Sequence, residues 1–216
     1  MAAIPPPAKE RLLRIMRILE KNGGRPLTSA EAEAITGWPR ETIRKDISCL
    51  EAEALGTSSG YAPELLIPAI RKALGLDRRR LFCIVGLGRL GSAYLNFSGD
   101  AGAAGQAGLP GIAAWEEFQL AAGFDSNVNR IEILKSAVPL YPAYKIPEVV
   151  SRLSIELALL CVPVEAAQAS AEKLAAAGIR GILNFTPLTL KLPPQAAVRN
   201  VSPVDELRAL AVLPIK

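Results

Sequence analysis

The chain has 216 residues, half of them hydrophobic, and carries 25 Lys and Arg against 21 Asp and Glu, a formal net charge of +4. That length holds one large domain or two modest ones with a sizeable core, and no apolar run reaches the roughly 18 residues of a membrane span. There is no histidine, which removes the commonest general acid–base and the commonest metal ligand together.

The three cysteines, Cys49, Cys83 and Cys161, stand at no metal-ligand spacing, and two of them lie inside apolar runs, so no metal site is expected. Met1 to Pro7 is too short and too proline-rich for a secretory signal. A cytoplasmic protein without a membrane partner is the expectation. The charge is uneven: residues 1–80 hold 14 Lys and Arg against 10 Asp and Glu, whereas residues 81–216 hold 11 of each. The whole surplus sits in the segment before residue 81, a bias that an ordinary solvated face also shows.

In chain order, residues 8–22 read as an amphipathic helix with Leu12, Leu13, Ile15, Met16, Ile18 and Leu19 on one stripe, stopped by Asn22-Gly23-Gly24. Thr28 or Ser29 caps a short second helix that ends at Gly37. Trp38-Pro39 turns the chain into a third helix, Pro39 to Leu50. Its Ile43, Ile47 and Leu50 point inward, and Arg40, Thr42, Arg44 and Lys45 are left exposed. Helix, short helix, glycine turn and basic helix form a helix-turn-helix pattern, with residues 55–61 as a hairpin wing and a closing helix over 63–76. These readings predict an N-terminal winged-helix domain over 1–80, with Arg40, Thr42, Arg44, Lys45 and the wing residue Ser58 as its candidate DNA contacts.

The short apolar run Leu81 to Val85 ends abruptly at Gly86, and Gly86, Gly88 and Gly91 stand in GxGxxG spacing before a helix start at Ser92 to Leu95. This is the strand–turn–helix entrance of a dinucleotide-binding unit. The first glycine permits the tight turn, the second lets the backbone approach a pyrophosphate, and the third lets helix pack on strand. The pyrophosphate would sit on the free N–H groups and positive dipole end of that helix.

Beyond the Gly/Ala-rich stretch 98–108, which reads as a mobile surface loop, Phe118 to Phe124 forms a second strand closing on Asp125. An acid there accepts the adenosine ribose hydroxyls and favours NAD over NADP. It lies beyond the usual distance of about 20 residues from the glycine turn, and the intervening loop accounts for the excess.

Ala137 to Tyr141 is a third strand, Pro147-Glu148 opens a helix, and Ile155 to Pro163 is an apolar run suited to a strand buried on both faces. Val164 to Ala177 is helix, Gly181 to Phe185 and Val198 to Val201 are strands, and Pro203 to Leu213 is a terminal helix. The alternation predicts an α/β Rossmann-like doubly wound parallel sheet over 81–200 and a C-terminal helix over 201–216.

Four blocks carry a family resemblance. They are Thr42 to Ser48, Gly86 to Ala93, Cys161 to Gln168 and Ala177 to Pro187. On them the chain resembles the Rex family of bacterial redox-sensing transcriptional repressors, from about Ala8 to about Leu213. The likeness implies a homodimer that binds near-palindromic operator DNA and releases it when NADH binds, with NADH and NAD as effectors. Carried over residue by residue, it implies nucleotide contacts at Gly86, Leu87, Gly88, Arg89, Leu90, Gly91, Asp125, Val162, Pro163, Asn184, Phe185 and Thr186.

It further implies DNA contacts at Arg44 and Lys45, and a switch in which Arg17 pairs with an aspartate at the start of a swapped terminal helix. This chain departs from that pattern in several places. Ser202 and Pro203 replace the aspartate and an aromatic residue, leaving Asp205 as the substitute partner for Arg17. Phe97 replaces a tyrosine whose hydroxyl serves the redox response, and residues 57–59 lack the family's wing arginine.

Two other readings compete with a repressor. One is a nucleotide-binding enzyme, an NAD-dependent dehydrogenase or a CoA-ligase-like subunit; against it, no histidine and no Lys/Tyr or Cys/His constellation accompanies the glycine turn. The other is a Rex-like paralogue that binds nucleotide without switching.

Overall fold

The computed structural model describes residues 4–50, 56–57, 59–99 and 117–213. The chain divides into two compact units, Met1–Arg78 and Arg79–Lys216.

In the first unit, α1 (Pro6–Lys21) is followed by α2 (Ser29–Thr36) and α3 (Arg40–Ser48). A two-residue hairpin, β1 (Gly56–Thr57) with β2 (Gly60–Tyr61), and α4 (Pro63–Leu74) complete it. Helix α2 begins with a reciprocal cap in which Thr28 Oγ1 accepts the Glu31 N–H while Glu31 accepts the Thr28 N–H. It ends at Gly37, whose φ of 76° is the left-handed cap conformation that glycine adopts without strain. The stripe foreseen on the first helix is buried as Leu12, Ile15, Met16 and Leu19, and it closes over Ile43 and Ile47 of α3 and Leu66 and Ile70 of α4. The hairpin is stapled to the loop before α2 by paired main-chain bonds between Leu27 and Tyr61, 2.9 and 3.0 Å long. This is a winged helix-turn-helix.

The second unit is an all-parallel six-stranded sheet. Its strands are β3 (Arg80–Val85), β4 (Phe118–Asp125), β5 (Leu140–Pro142), β6 (Leu157–Leu160), β7 (Gly181–Asn184) and β8 (Ala197–Asn200). Their order across the sheet is β5-β4-β3-β6-β7-β8. The helices are α5 (Arg89–Gly99), α6 (Val128–Ile133), α7 (Ile146–Leu153), α8 (Val164–Ala176) and α9 (Pro203–Ala211). Alternate residues of β3 go to opposite faces. Cys83 and Val85 pack with α7 and α8, and Phe82 and Ile84 pack with Leu95 of α5. Both faces are therefore apolar, as a doubly wound sheet requires.

The third strand is shorter than expected and starts later, at Leu140, because Pro139 carries no N–H for the ladder. Helix α6, absent from the sequence reading, is one and a half turns long with no buried residue, so no apolar periodicity announces it; the Asn127 side chain caps it. Helix α9 also buries nothing.

Candidate functional site

Strand β3 lies between β4 and β6, so successive crossovers leave it in opposite directions. A crevice opens at such a switch point, at the strands' carboxyl ends. The register places Val85 beside Phe124 on one side and Leu160 on the other, and Gly86, Asp125 and Cys161 therefore emerge side by side. The closeness of the two ends dictates the first glycine. Gly86 has a φ of 90°, and a Cβ there would lie 2.6 Å from the Cys161 carbonyl oxygen. A Cβ on Gly91 would be driven into the Gly86 carbonyl oxygen, so α5 could not start so close to the strand. At Gly88 a Cβ would meet nothing within 4 Å. No neighbour among the described residues requires a glycine there, and the space beside it, just before the start of α5, is open.

Helix α5 begins at Arg89, and the first amides of a helix have no acceptor within it. Arg89 and Leu90 are exposed beside that space, with Leu90 44% accessible. Leu87 differs from expectation. Its side chain is buried among Phe82, Ile84, Leu95 and Leu120, and its N–H donates to Asp125 Oδ2 at 2.7 Å. It shapes the loop and offers a ligand neither side chain nor amide.

Asp125 stands at the end of β4, where an acceptor for ribose was expected, but its carboxylate is buried and already engaged. Besides Leu87, it accepts the Asn127 N–H at 2.8 Å and Arg130 Nη1 at 2.9 Å. The sequence carries no signal for Arg130 beyond a base five positions after the acid.

Asn184, expected to line the nucleotide, has its side chain committed to its own turn. It is wholly buried, its Nδ2 donating to Leu188 O and Asn200 Oδ1 at 2.8 and 2.9 Å, while its Oδ1 accepts the N–H and hydroxyl of Thr186 at 3.0 and 2.8 Å. Every donor and acceptor is used, so Asn184 holds the turn after β7 and has nothing left for a nucleotide. Thr186 is buried with it. Phe185 is half-buried, its ring 5.3 Å from that of Tyr94 on α5. Val162 is half-buried and Pro163 exposed at the start of α8. Burial pushes the Cys161 thiol up to about 12, so it is held as the neutral thiol beside the crevice. Phe97 falls within α5, and its side chain lies outside the described residues.

On the first unit, α3 exposes Arg44 and Lys45, with Thr42 half-buried. Arg40 is turned to α2, where its Nε pairs with Glu33. Ser58 lies outside the described residues. The seating of α3 depends on a contact that was not foreseen. Asp46, 4% exposed on its inner face, receives Arg11 of α1 in a bidentate pair, Nε to Oδ2 at 2.6 Å and Nη2 to Oδ1 at 2.9 Å. The two residues are 35 positions apart, and nothing local in the sequence couples them. Arg17 is exposed on α1, and Asp205 pairs with Arg208 of its own helix at 2.7 Å. A donor bond from Ser202 and that arginine hold the Asp205 carboxyl below its ordinary range.

Comparison with known proteins covers both units together. The family profile described as a CoA binding domain matches residues 78–188. The redox-sensing transcriptional repressor Rex of Thermus thermophilus is 36% identical over 202 residues, covering 92% of this chain and 88% of that protein. The one from Ligilactobacillus salivarius is 31% identical, covering 96% and 92%. Among solved structures, RSP, a Rex-family repressor, matches with a TM-score of 0.79 at 29% identity over 98% of this chain and 94% of that one. RSP in complex with β-NAD+ and operator DNA also matches at 0.79, and RSP with β-NADH at 0.77. These relatives are named repressors and not enzymes.

Proposed function

The chain belongs to the Rex family of redox-sensing transcriptional repressors, and from that premise we propose that it binds NAD(H) in the crevice at Gly86–Gly91 and operator DNA through α3, releasing the DNA when NADH binds. The observation that carries the nucleotide half is the open space at Gly88. It lies just before α5, whose first amides have no acceptor within the helix, at the point where the strand order reverses. Gly86, Gly88, Arg89, Leu90 and Gly91 hold the diphosphate. Val162, Pro163, Phe185 and Thr186 line the far end, with Asn184 and Leu87 fixing the backbone rather than touching the ligand. Asp125 stands at the adenosine end.

Arg44, Lys45 and Thr42 face the groove, and Arg40 reaches it only by leaving Glu33. Most of the affinity comes from phosphate neutralisation and falls steeply with salt. The protein acts as a homodimer in the cytoplasm. Support for pairing comes from α9, whose Val204, Leu207 and Leu210 recur every three residues and are 55 to 64% exposed. Two copies of α3 then meet successive major grooves about 34–36 Å apart on a near-palindromic site. In the paired form Arg17 and Asp205 are the residues to examine for a link between effector and DNA.

The test needs a DNA ligand, obtained by selecting a randomised duplex pool on the protein saturated with NAD. NADH is then titrated into the protein–DNA mixture while anisotropy is followed. An effector acts only through differential affinity, typically about 1–3 kcal/mol or 5–150-fold. A loss of DNA affinity in that range, with DNA weakening NADH equally, supports the reading. Unchanged affinity at saturating NADH removes the switch and leaves a nucleotide-bound DNA-binding protein.

A further inference from the structure

The turn between α2 and α3 carries an ion pair that neither helix needs for its place. Arg40, the first residue of α3, gives its Nε to Glu33 Oε2 of α2, and the two side chains are 51% and 37% exposed. A pair this open to water adds little to stability. Helix α2 is already fixed by its reciprocal cap at Thr28 and its left-handed stop at Gly37. Helix α3 is held by buried Ile43 and Ile47 and by the Arg11–Asp46 bonds. What the pair changes is the charge offered to a partner. Over residues 29–43 the carboxylates of Glu31, Glu33 and Glu41 stand against one guanidinium, that of Arg40, and the next two residues are Arg44 and Lys45.

In a helix-turn-helix the N-terminal residues of the second helix are the ones that approach DNA, so an arginine at its first position is sited for a phosphate at the groove's edge. This one arrives with a counter-ion attached. A phosphate that takes the guanidinium must displace Glu33 or accept a carboxylate beside it, and either outcome reduces the gain. Arg44 and Lys45 are exposed and have no ion-pair partner among the described residues. Resting on the reading of α3 as the DNA-facing helix, we propose that Glu33 is a specificity-determining residue that holds Arg40 off the DNA backbone. Sequence-independent binding by α3 then draws on Arg44 and Lys45 and not on Arg40.

The full chain, saturated with NAD, is titrated into a labelled random-sequence duplex at about 50 and about 200 mM salt. Wild type, Glu33→Gln, Arg40→Ala and the double variant are compared by anisotropy. Glu33→Gln is expected to tighten binding about tenfold at the lower salt, and that gain to shrink about threefold at the higher, the slope of one added phosphate contact. In the Arg40→Ala background the same change is expected to gain less than about twofold, since the two residues act through one contact. Both side chains are exposed, so the variants should fold, and circular dichroism checks it. A Glu33→Gln protein that binds random DNA no tighter than wild type, or more weakly, overturns the proposal and makes the pair a plain staple of the turn. A gain equally large without Arg40 overturns it too, because only a negative charge has then been removed. A wild type that binds neither the random duplex nor one selected on it removes the DNA reading and the proposal together.

Discussion

Cutting the Arg11–Asp46 pair tests how α3 is held in place. The pair consists of two bonds at 2.6 and 2.9 Å, with side-chain exposures of 24% for Arg11 and 6% for Asp46. Hydrogen bonds to charged groups are worth about 1.5–3 kcal/mol each, and removing one member of a buried pair costs about 3–5 kcal/mol because the other is stranded. The two truncations should differ. Asp46→Ala leaves an arginine that can still reach water, and about 2–3 kcal/mol is expected. Arg11→Ala strands a nearly buried carboxylate, and about 3–5 kcal/mol is expected.

A unit the size of Met1–Arg78 has about 4–12 kcal/mol in total at roughly 0.05–0.15 kcal/mol per residue. Either change therefore removes a large share, and the double variant Arg11→Met/Asp46→Leu should recover much of the loss. The assay is urea unfolding in a Trp115→Phe background, where Trp38, stacked under Arg14, reports on the first unit alone. An Arg11→Ala cost below that of Asp46→Ala, or both costs under about 1 kcal/mol, refutes the reasoning.

Other outcomes can be stated more briefly. Gly88→Ala should leave the thermal midpoint unchanged, since its Cβ enters open space, yet weaken NADH binding; Gly91→Ala should cost about 3 kcal/mol or more and abolish binding, as equilibrium unfolding and nucleotide titration would show. Lys45→Ala should reduce DNA affinity almost equally across sequences and lower the salt slope by about one, whereas a sequence-selective loss would make it a base reader. A thiol reagent at pH 8 should modify exposed Cys49 quickly and leave Cys83 and Cys161 untouched until denaturant is added, because burial pushes both of their thiols up to about 12. Two fast thiols in the native protein would contradict that placement.

Signals that act within a few residues were legible in the sequence. The GxGxxG turn, the hydroxyl cap at Thr28 (one of the two positions the spacing allowed), the glycine stop at Gly37 and the two-faced apolar strand β3 all appear where local spacing put them. Bonds made across the chain were not legible. The position of Asp125 after a strand is visible in the sequence, whereas its partners Leu87, Asn127 and Arg130 are not. Asn184 looked like a site residue because it sits at a strand end, whereas its side chain is consumed by Asn200, Thr186 and Leu188. Helix α6 escaped because it is six residues long and two of its three apolar residues, Val128 and Ile133, are exposed, so it leaves no periodic trace. Arg11 and Asp46 each read as ordinary charges on amphipathic helices, and only tertiary packing reveals which faces meet.

The two margins of the parallel sheet are built to refuse another strand. On one side β5 has three residues and finishes in Pro142, which cannot donate; on the other β8 is four residues long and carries Arg199. A stranger's backbone finds no long, flat rim on which to continue the ladder. Were two copies to meet through the exposed apolar side of α9 proposed above, that same patch would pair with itself and close after two copies instead of growing into a fibre.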